Sequence, residues 1–265
     1  MIARIHTFVA LTTLVNLLVY AVAGLAPLTM SPAKVWEQPF PVQPGETDRA
    51  IAERVVRLLE IPLATPVHQF NIGHDAAGHL RLDFYHANGR HKAIVADGRL
   101  YVEATRAGFG KYLSTLHVTT AAFDSADRRM QVWSWYNEFA MWALIVMLLT
   151  GAWMFATRRR QVGLARRIHW SAALPAIPLL AIFTLTAVQM AHRKWWTAGP
   201  LTRELFSWHR SRGMPLAPLA GLLLLVMAAT GLWLWLPGRD RRAGAALLAI
   251  ATLVSGGLIL WMRAG

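Results

Sequence analysis

The sequence predicts an all-α transmembrane helical bundle of about five helices, built as two parallel repeats, with a small α+β domain inserted after the first helix. Three observations lead there. Five apolar runs are each about as long as a bilayer-spanning helix. A short motif opens two of them: Arg4-Ile5-His6 the first and Arg167-Ile168-His169 the third. A second motif closes two others, as Leu149-Thr150-Gly151-Ala152-Trp153 and Ala229-Thr230-Gly231-Leu232-Trp233.

Composition narrows the class. The chain has 265 residues, 55% of them apolar, with a mean hydropathy of +0.36. That is a membrane composition. The net charge of +13 would suit nucleic acid, but the basic residues cluster at the ends of the apolar runs, as membrane topology requires. Nucleic-acid binding is therefore not expected. There is no cysteine. This removes disulfides, thiolate-ligated or covalently attached haem, cysteine-held iron–sulfur clusters and thiol nucleophiles.

Residues 1–29 form the first membrane helix. Ala21-Val22-Ala23 resembles a signal-peptidase site, but the apolar run continues to Leu28 and has a copy inside the chain, so a retained helix is expected. Residues 30–131 form the α+β domain. Thr47 and Asp48 are placed to cap a helix with Ile51, Val55, Leu58 and Leu59 on one face. Leu80, Leu82 and Phe84 alternate with Arg81, Asp83 and Tyr85 as in a half-buried strand. Asn88-Gly89 and Asp97-Gly98 read as hairpin turns flanking strands at 93–95 and 100–102. Residues 110–117 suggest a short helix. The remaining spans are 132–158, 168–192, 214–237 and 243–262, with a loop at 193–213.

The loops at 157–167 and 239–242 hold Arg158, Arg159, Arg160, Arg166, Arg167, Arg239, Arg241 and Arg242. The positive-inside rule makes them cytoplasmic. The N-terminus is then inside, with the 30–131 domain and the C-terminus outside. The outer loop, with Arg193, Lys194, Arg203, Arg210 and Arg212, is more basic than the rule prefers. Twelve tryptophans support the spans. Trp153, Trp170, Trp233 and Trp235 are expected at the inner interface, and Trp195, Trp196, Trp208 and Trp261 at the outer one, with Trp133 and Trp135 at the entrance of the second span.

Parallel repeats put His6 and His169 at equal depth. Two inward imidazoles across a helical bundle are the arrangement that ligates a b-type haem from both faces. Arg4 and Arg167 are placed to pair with its carboxylates. Toward the outer side, His192 ends the third helix, His209 precedes the fourth and His117 precedes the second. His169 and His192 are 23 residues apart, about 35 Å along a helix, so they serve different groups. Two of His117, His192 and His209 are expected at an outer haem. His68, His74, His79, His86 and His91 match no zinc spacing and are expected in structural or surface roles, with His86 half-buried at a sheet end.

No charged residue is expected deep in a span, where Asn16 and Gln189 are the notable polar groups. This speaks against an ion-driven permease. The Thr-Gly pairs allow close helix approach or make room for a flat macrocycle. No phosphate loop, dinucleotide fingerprint or hydrolase motif occurs.

Taken together, the Arg-Ile-His helix starts, the outer α+β domain, Leu116-His117 before the next helix and the Thr-Gly-x-Trp ends resemble the PepSY-associated transmembrane proteins. The resemblance implies a bacterial inner-membrane protein with a periplasmic PepSY-like domain. It also implies one or two b-type haems held by His6, His169 and His117, with His192 and His209 matching by location. The implied activity is that of a ferric-siderophore reductase, with partners in membrane lipid, a cytoplasmic or membrane electron donor and a ferric siderophore. The outer loop here is shorter than the family's, and the fifth helix is an addition. The alternative is a membrane-anchored PepSY binding or regulatory module without cofactor.

Overall fold

A computed structural model describes residues 1–61, 70–119, 128–157, 163–192, 199–236 and 241–264. Among them are five helices long and apolar enough to cross a membrane, so the chain is a multi-pass membrane protein. They are α1 (Ile2–Leu25), α4 (Arg128–Thr157), α5 (Leu164–Ala191), α7 (Ala217–Trp235) and α8 (Arg241–Ala264). The short helices are α2 (Asp48–Leu58), α3 (Phe109–Val118) and α6 (Pro200–Ser207), the last followed by a π-turn at Trp208–Arg212.

The segment between α1 and α4 carries a five-stranded antiparallel sheet in the order β1-β5-β4-β3-β2. Its strands are β1 (Lys34–Pro39), β2 (Phe70–His74), β3 (Leu80–His86), β4 (Gly89–Ala96) and β5 (Arg99–Arg106). Leu80, Leu82 and Phe84 are buried as expected, against Ile51, Ala52 and Val55 of α2; Asp83, expected on the wet face, is buried as well, where Arg81 and Arg90 pair with it. Thr47 caps α2 by accepting the Ala50 N–H, Asp48 stands in the first turn, and Leu58 faces outward. The two edge strands carry little sequence signal. Five of the six residues of β1 are exposed, so no alternation marks it.

Of the two expected turns, Asp97-Gly98 forms with both residues at positive φ, 50° and 71°. The other turn falls one residue earlier, on Ala87-Asn88, and Gly89 pairs with His86 inside the ladder. Two contacts explain the shift. A Cβ at Gly89 would lie 2.0 Å from the Thr105 carbonyl oxygen, so this position needs glycine for close approach. The Asn88 amide instead donates to the Met262 carbonyl at the end of α8, at 2.7 Å.

That bond belongs to a junction between sheet and bundle. The Tyr112 hydroxyl donates to the Ile259 carbonyl, and the Arg263 guanidinium donates to the Ala107 carbonyl, both at 2.6 Å. The last turn of α8 leaves carbonyls without helical partners; the domain supplies donors to two of them, Asn88 to Met262 and Arg106 to Arg263. Within the bundle, α1 crosses α7 at two glycines. A Cβ on Gly24 would meet the Ala217 carbonyl oxygen at 2.7 Å, and one on Gly221 would meet that of Ala21 at 2.6 Å. Missing side chains let the two backbones touch.

Trp153, Trp233 and Trp261 are exposed on the helical surface, Trp235 lines the cavity described below, and Trp170 stacks on Phe155 with ring centroids 4.9 Å apart. Trp133 departs from expectation. It is fully buried, and its indole N–H donates to the Leu116 carbonyl at 2.9 Å. Trp195, Trp196, Arg193, Lys194, Arg158 to Arg160, Arg239 and His68 lie outside the described residues.

Candidate functional site: two histidine pairs

His6 on α1 and His169 on α5 line one cavity of about 300 Å³, at the lower end of the range for ligand pockets. Its walls are mostly apolar, with Leu144, Met147, Leu180 and Met227 among them. The same contact orients each imidazole. His6 Nδ1 lies 2.8 Å from Thr150 Oγ1, and His169 Nδ1 lies 2.8 Å from Thr230 Oγ1. Each threonine has one hydroxyl proton and gives it to its own helix, Thr150 to the Val146 carbonyl at 2.7 Å and Thr230 to that of Val226 at 2.6 Å. The oxygens therefore accept from the rings. This assigns the proton to Nδ1 and leaves a lone pair on Nε2 of both histidines, the form that binds a metal.

The glycine after each threonine lies beside the ring. A Cβ on Gly151 would stand 3.5 Å from His6 Cε1, and one on Gly231 3.7 Å from His169 Cε1. Those are ordinary contacts, so the glycines leave space beside the imidazoles without being sterically required. The Thr-Gly motif thus has a local meaning: the threonine holds the ring and the glycine leaves its edge open.

Of the expected arginines, Arg4 and Arg167 are exposed, and neither appears in the cavity wall. Arg166 does. It stands three residues before His169 and so shares its helical face, whereas a two-residue spacing does not.

Toward the sheet domain, at the site expected on the outer side, His117 and His209 repeat the chemistry. His117 Nδ1 donates to the Ser114 carbonyl at 2.5 Å, an acceptor only. His209 Nδ1 donates to Thr186 Oγ1 at 2.9 Å, and Thr186 passes its proton to the Ile182 carbonyl at 2.8 Å. Nε2 again keeps the lone pair. Burial, and then the neighbouring His209 imidazole, pushes His117 down to about 4. Burial also lowers His209. Both rings are thus neutral near pH 7, as ligation requires. Each meets an aromatic ring edge-on, His117 that of Tyr20 at 6.4 Å and His209 that of Phe183 at 5.8 Å. Tyr20 and Phe183 each follow their helix's histidine, His6 or His169, by fourteen residues. The two halves therefore match at both ends.

His117 depends on a buried clamp. Asn137, 1% exposed, donates from its amide to the carbonyls of His117 at 2.9 Å and Thr119 at 2.7 Å. Its oxygen accepts from Tyr20 at 2.8 Å and from Asn16 at 3.2 Å. Asn16 stood out in the sequence, but nothing local marked Asn137.

His192 differs from the four. Its Nε2 lies 2.6 Å from Glu138 Oε1, so the nitrogen that the other four leave open is here engaged by a carboxylate. Glu138 is a charged residue at a span's end that the bundle nevertheless buries, facing the C-cap of α5. The sequence put it at the span's edge; α4 begins ten residues earlier and buries it to 8% exposure.

In the sheet domain, His86 Nε2 and His91 Nδ1 approach to 3.0 Å with stacked rings. His79 Nδ1 lies 3.2 Å from Asp75, and His74 3.6 Å from Asp48. Among the described residues, no three His, Cys, Asp or Glu side chains converge as a metal site would need. A haem iron held by two imidazoles does not need three such groups. No family model matches the chain, and no curated protein or solved structure shows significant similarity to it.

Proposed function

We propose that the chain binds b-type haem between its helices and passes electrons across a bacterial inner membrane to a periplasmic acceptor, a ferric siderophore being the class that the family resemblance suggests. The observation that carries this reading is the shared orientation of four histidines, each holding its proton on Nδ1 and leaving Nε2 for a metal. A structural histidine has no need of that tautomer four times over.

The residues fit the group. The inner cavity is apolar, carries two imidazoles from different helices, and has Arg166 on its wall for a carboxylate. His6 and His169 would hold the inner haem, and His117 and His209 the outer one. Bound haem supplies reversible one-electron chemistry. The protein's own work is to fix the ring tautomers through Thr150, Thr230, Ser114 and Thr186, and to exclude water with apolar walls. Transfer is outer-sphere, so neither a nucleophile nor a general base is required. The 30–131 domain is the PepSY-like periplasmic part, and the basic 157–167 and 239–242 loops support a cytoplasmic N-terminus.

The test is vectorial transfer. Vesicles holding the full chain with haem, with dithionite trapped inside and a ferric chelate outside, should reduce the outside iron faster than protein-free vesicles. Equal rates contradict the proposal.

A further inference from the structure

Beside the outer histidine pair lies a buried polar group that the electron-transfer reading does not use. Glu138 Oε1 accepts from the Trp142 indole at 2.7 Å and faces His192 Nε2 at 2.6 Å. Its second oxygen, Oε2, is buried with no partner, and so is Oε1 of Gln189, which is 2% exposed and stands three residues before His192 on the same helical face. A buried acceptor without a donor is costly. The open acceptor on Glu138, beside a carboxylate–imidazole contact, is a place for a proton.

The location is specific. Glu138 follows Asn137, which holds the His117 backbone. His192 follows Thr186, which holds His209, by six residues, about 9 Å along the helix. His192 is also the C-cap of α5, and its side chain is 14% exposed, so a proton has a short route to water. Among the described residues, these titratable groups lie around it. Tyr20 lies near Glu138 on α1, and His192 contacts it from α5. On α3, His117 is linked through Asn137, and His209 lies near His117. Arg193 and Lys194 come next in the chain, outside the described residues.

We infer that Glu138 and His192 form a proton-binding site that takes up one proton when an electron reaches the outer histidine pair. This rests on the haem reading above. An electron added to a low-dielectric interior is unfavourable unless a positive charge follows it. Glu138 Oε2 provides the place. One electron enters from the donor, one proton enters from the outer water and bonds to Oε2, and the local charge is unchanged. When the electron leaves to a one-electron acceptor such as a ferric complex, the proton returns to the same side.

The experiment is an optical redox titration of the full haem-loaded chain at pH 6, 7 and 8, with the outer component identified by its absence in His209→Ala. In the unsubstituted protein the outer potential should fall with rising pH, with a slope approaching 59 mV per unit, the one-electron value for a tenfold change in proton activity. Glu138→Gln keeps an oxygen for Trp142 and His192 but cannot take the proton, and its slope should fall by at least half. Redox infrared difference spectra of the unsubstituted protein should show a protonated-carboxyl band gained on reduction. An unchanged slope in Glu138→Gln, or no carboxyl band, overturns the inference while leaving the haem reading intact. A protein that binds no haem overturns both. Should Glu138→Gln lose the outer haem, the infrared spectrum of the unsubstituted protein decides alone.

Discussion

His6 and Thr150 are 144 residues apart in the chain and 2.8 Å apart in the structure. His169 and Thr230 repeat that contact at the same distance. One hydroxyl, already spent on its own helix, makes its histidine keep the proton on Nδ1. Thr150→Val or Thr230→Val removes the acceptor and strands a partly buried N–H, at about 1–3 kcal/mol. Haem affinity at the inner site should fall about 10–100-fold, and serine at either position should restore it. Haem titration of the purified variants measures this.

Asn137→Leu should act on the outer site alone. The substitution strands the His117 and Thr119 carbonyls and the Asn16 amide, costing about 1–3 kcal/mol for each group left buried. The outer haem component should be lost while the inner spectrum persists, which optical spectra with haem counted per chain will show.

Gly24 and Gly221 should tolerate no side chain. A methyl at either meets a backbone oxygen of the facing helix at under 3 Å, which forces α1 and α7 apart. Gly221→Ala should cost about 1–3 kcal/mol, read as a lower melting temperature in detergent. Gly256→Ala on α8, where a Cβ meets nothing within 4 Å, should be neutral.

The sheet domain should weaken in mild acid. Burial, then the His91 charge, depresses His86 to about 3, and burial lowers His91 as well. Both groups bind protons more readily in the unfolded chain, so stability rises with pH through this window. Their contribution is fully present above about 6.5, the ordinary histidine value, and is lost progressively as pH falls toward 3. Thermal melts at pH 7.5 and 4.5 should show the loss, and His86→Phe should reduce it.

Much of this was legible in the sequence, because period and repetition act locally. The five spans, the central strands and the His6–His169 pairing follow from run length, alternation and a motif written twice. The His117–His209 choice over His192 was not legible, because it depends on what each ring touches across helices. Thr186 and Ser114 carry no motif, and Glu138 reads as the edge of a span until the helix is seen to begin at Arg128. The edge strand β1 stayed hidden because it buries almost nothing. Asn88 misled because its side chain serves α8 rather than its own turn.

The central claim is tested most directly by the reduced-minus-oxidised visible spectrum of the purified protein, with haem counted per chain, compared with His6→Ala and His169→Ala. The expected result is a b-type spectrum that loses the same component in both variants, since the two histidines share one site. A colourless protein from haem-replete cells, or variants that keep the full spectrum, would contradict it.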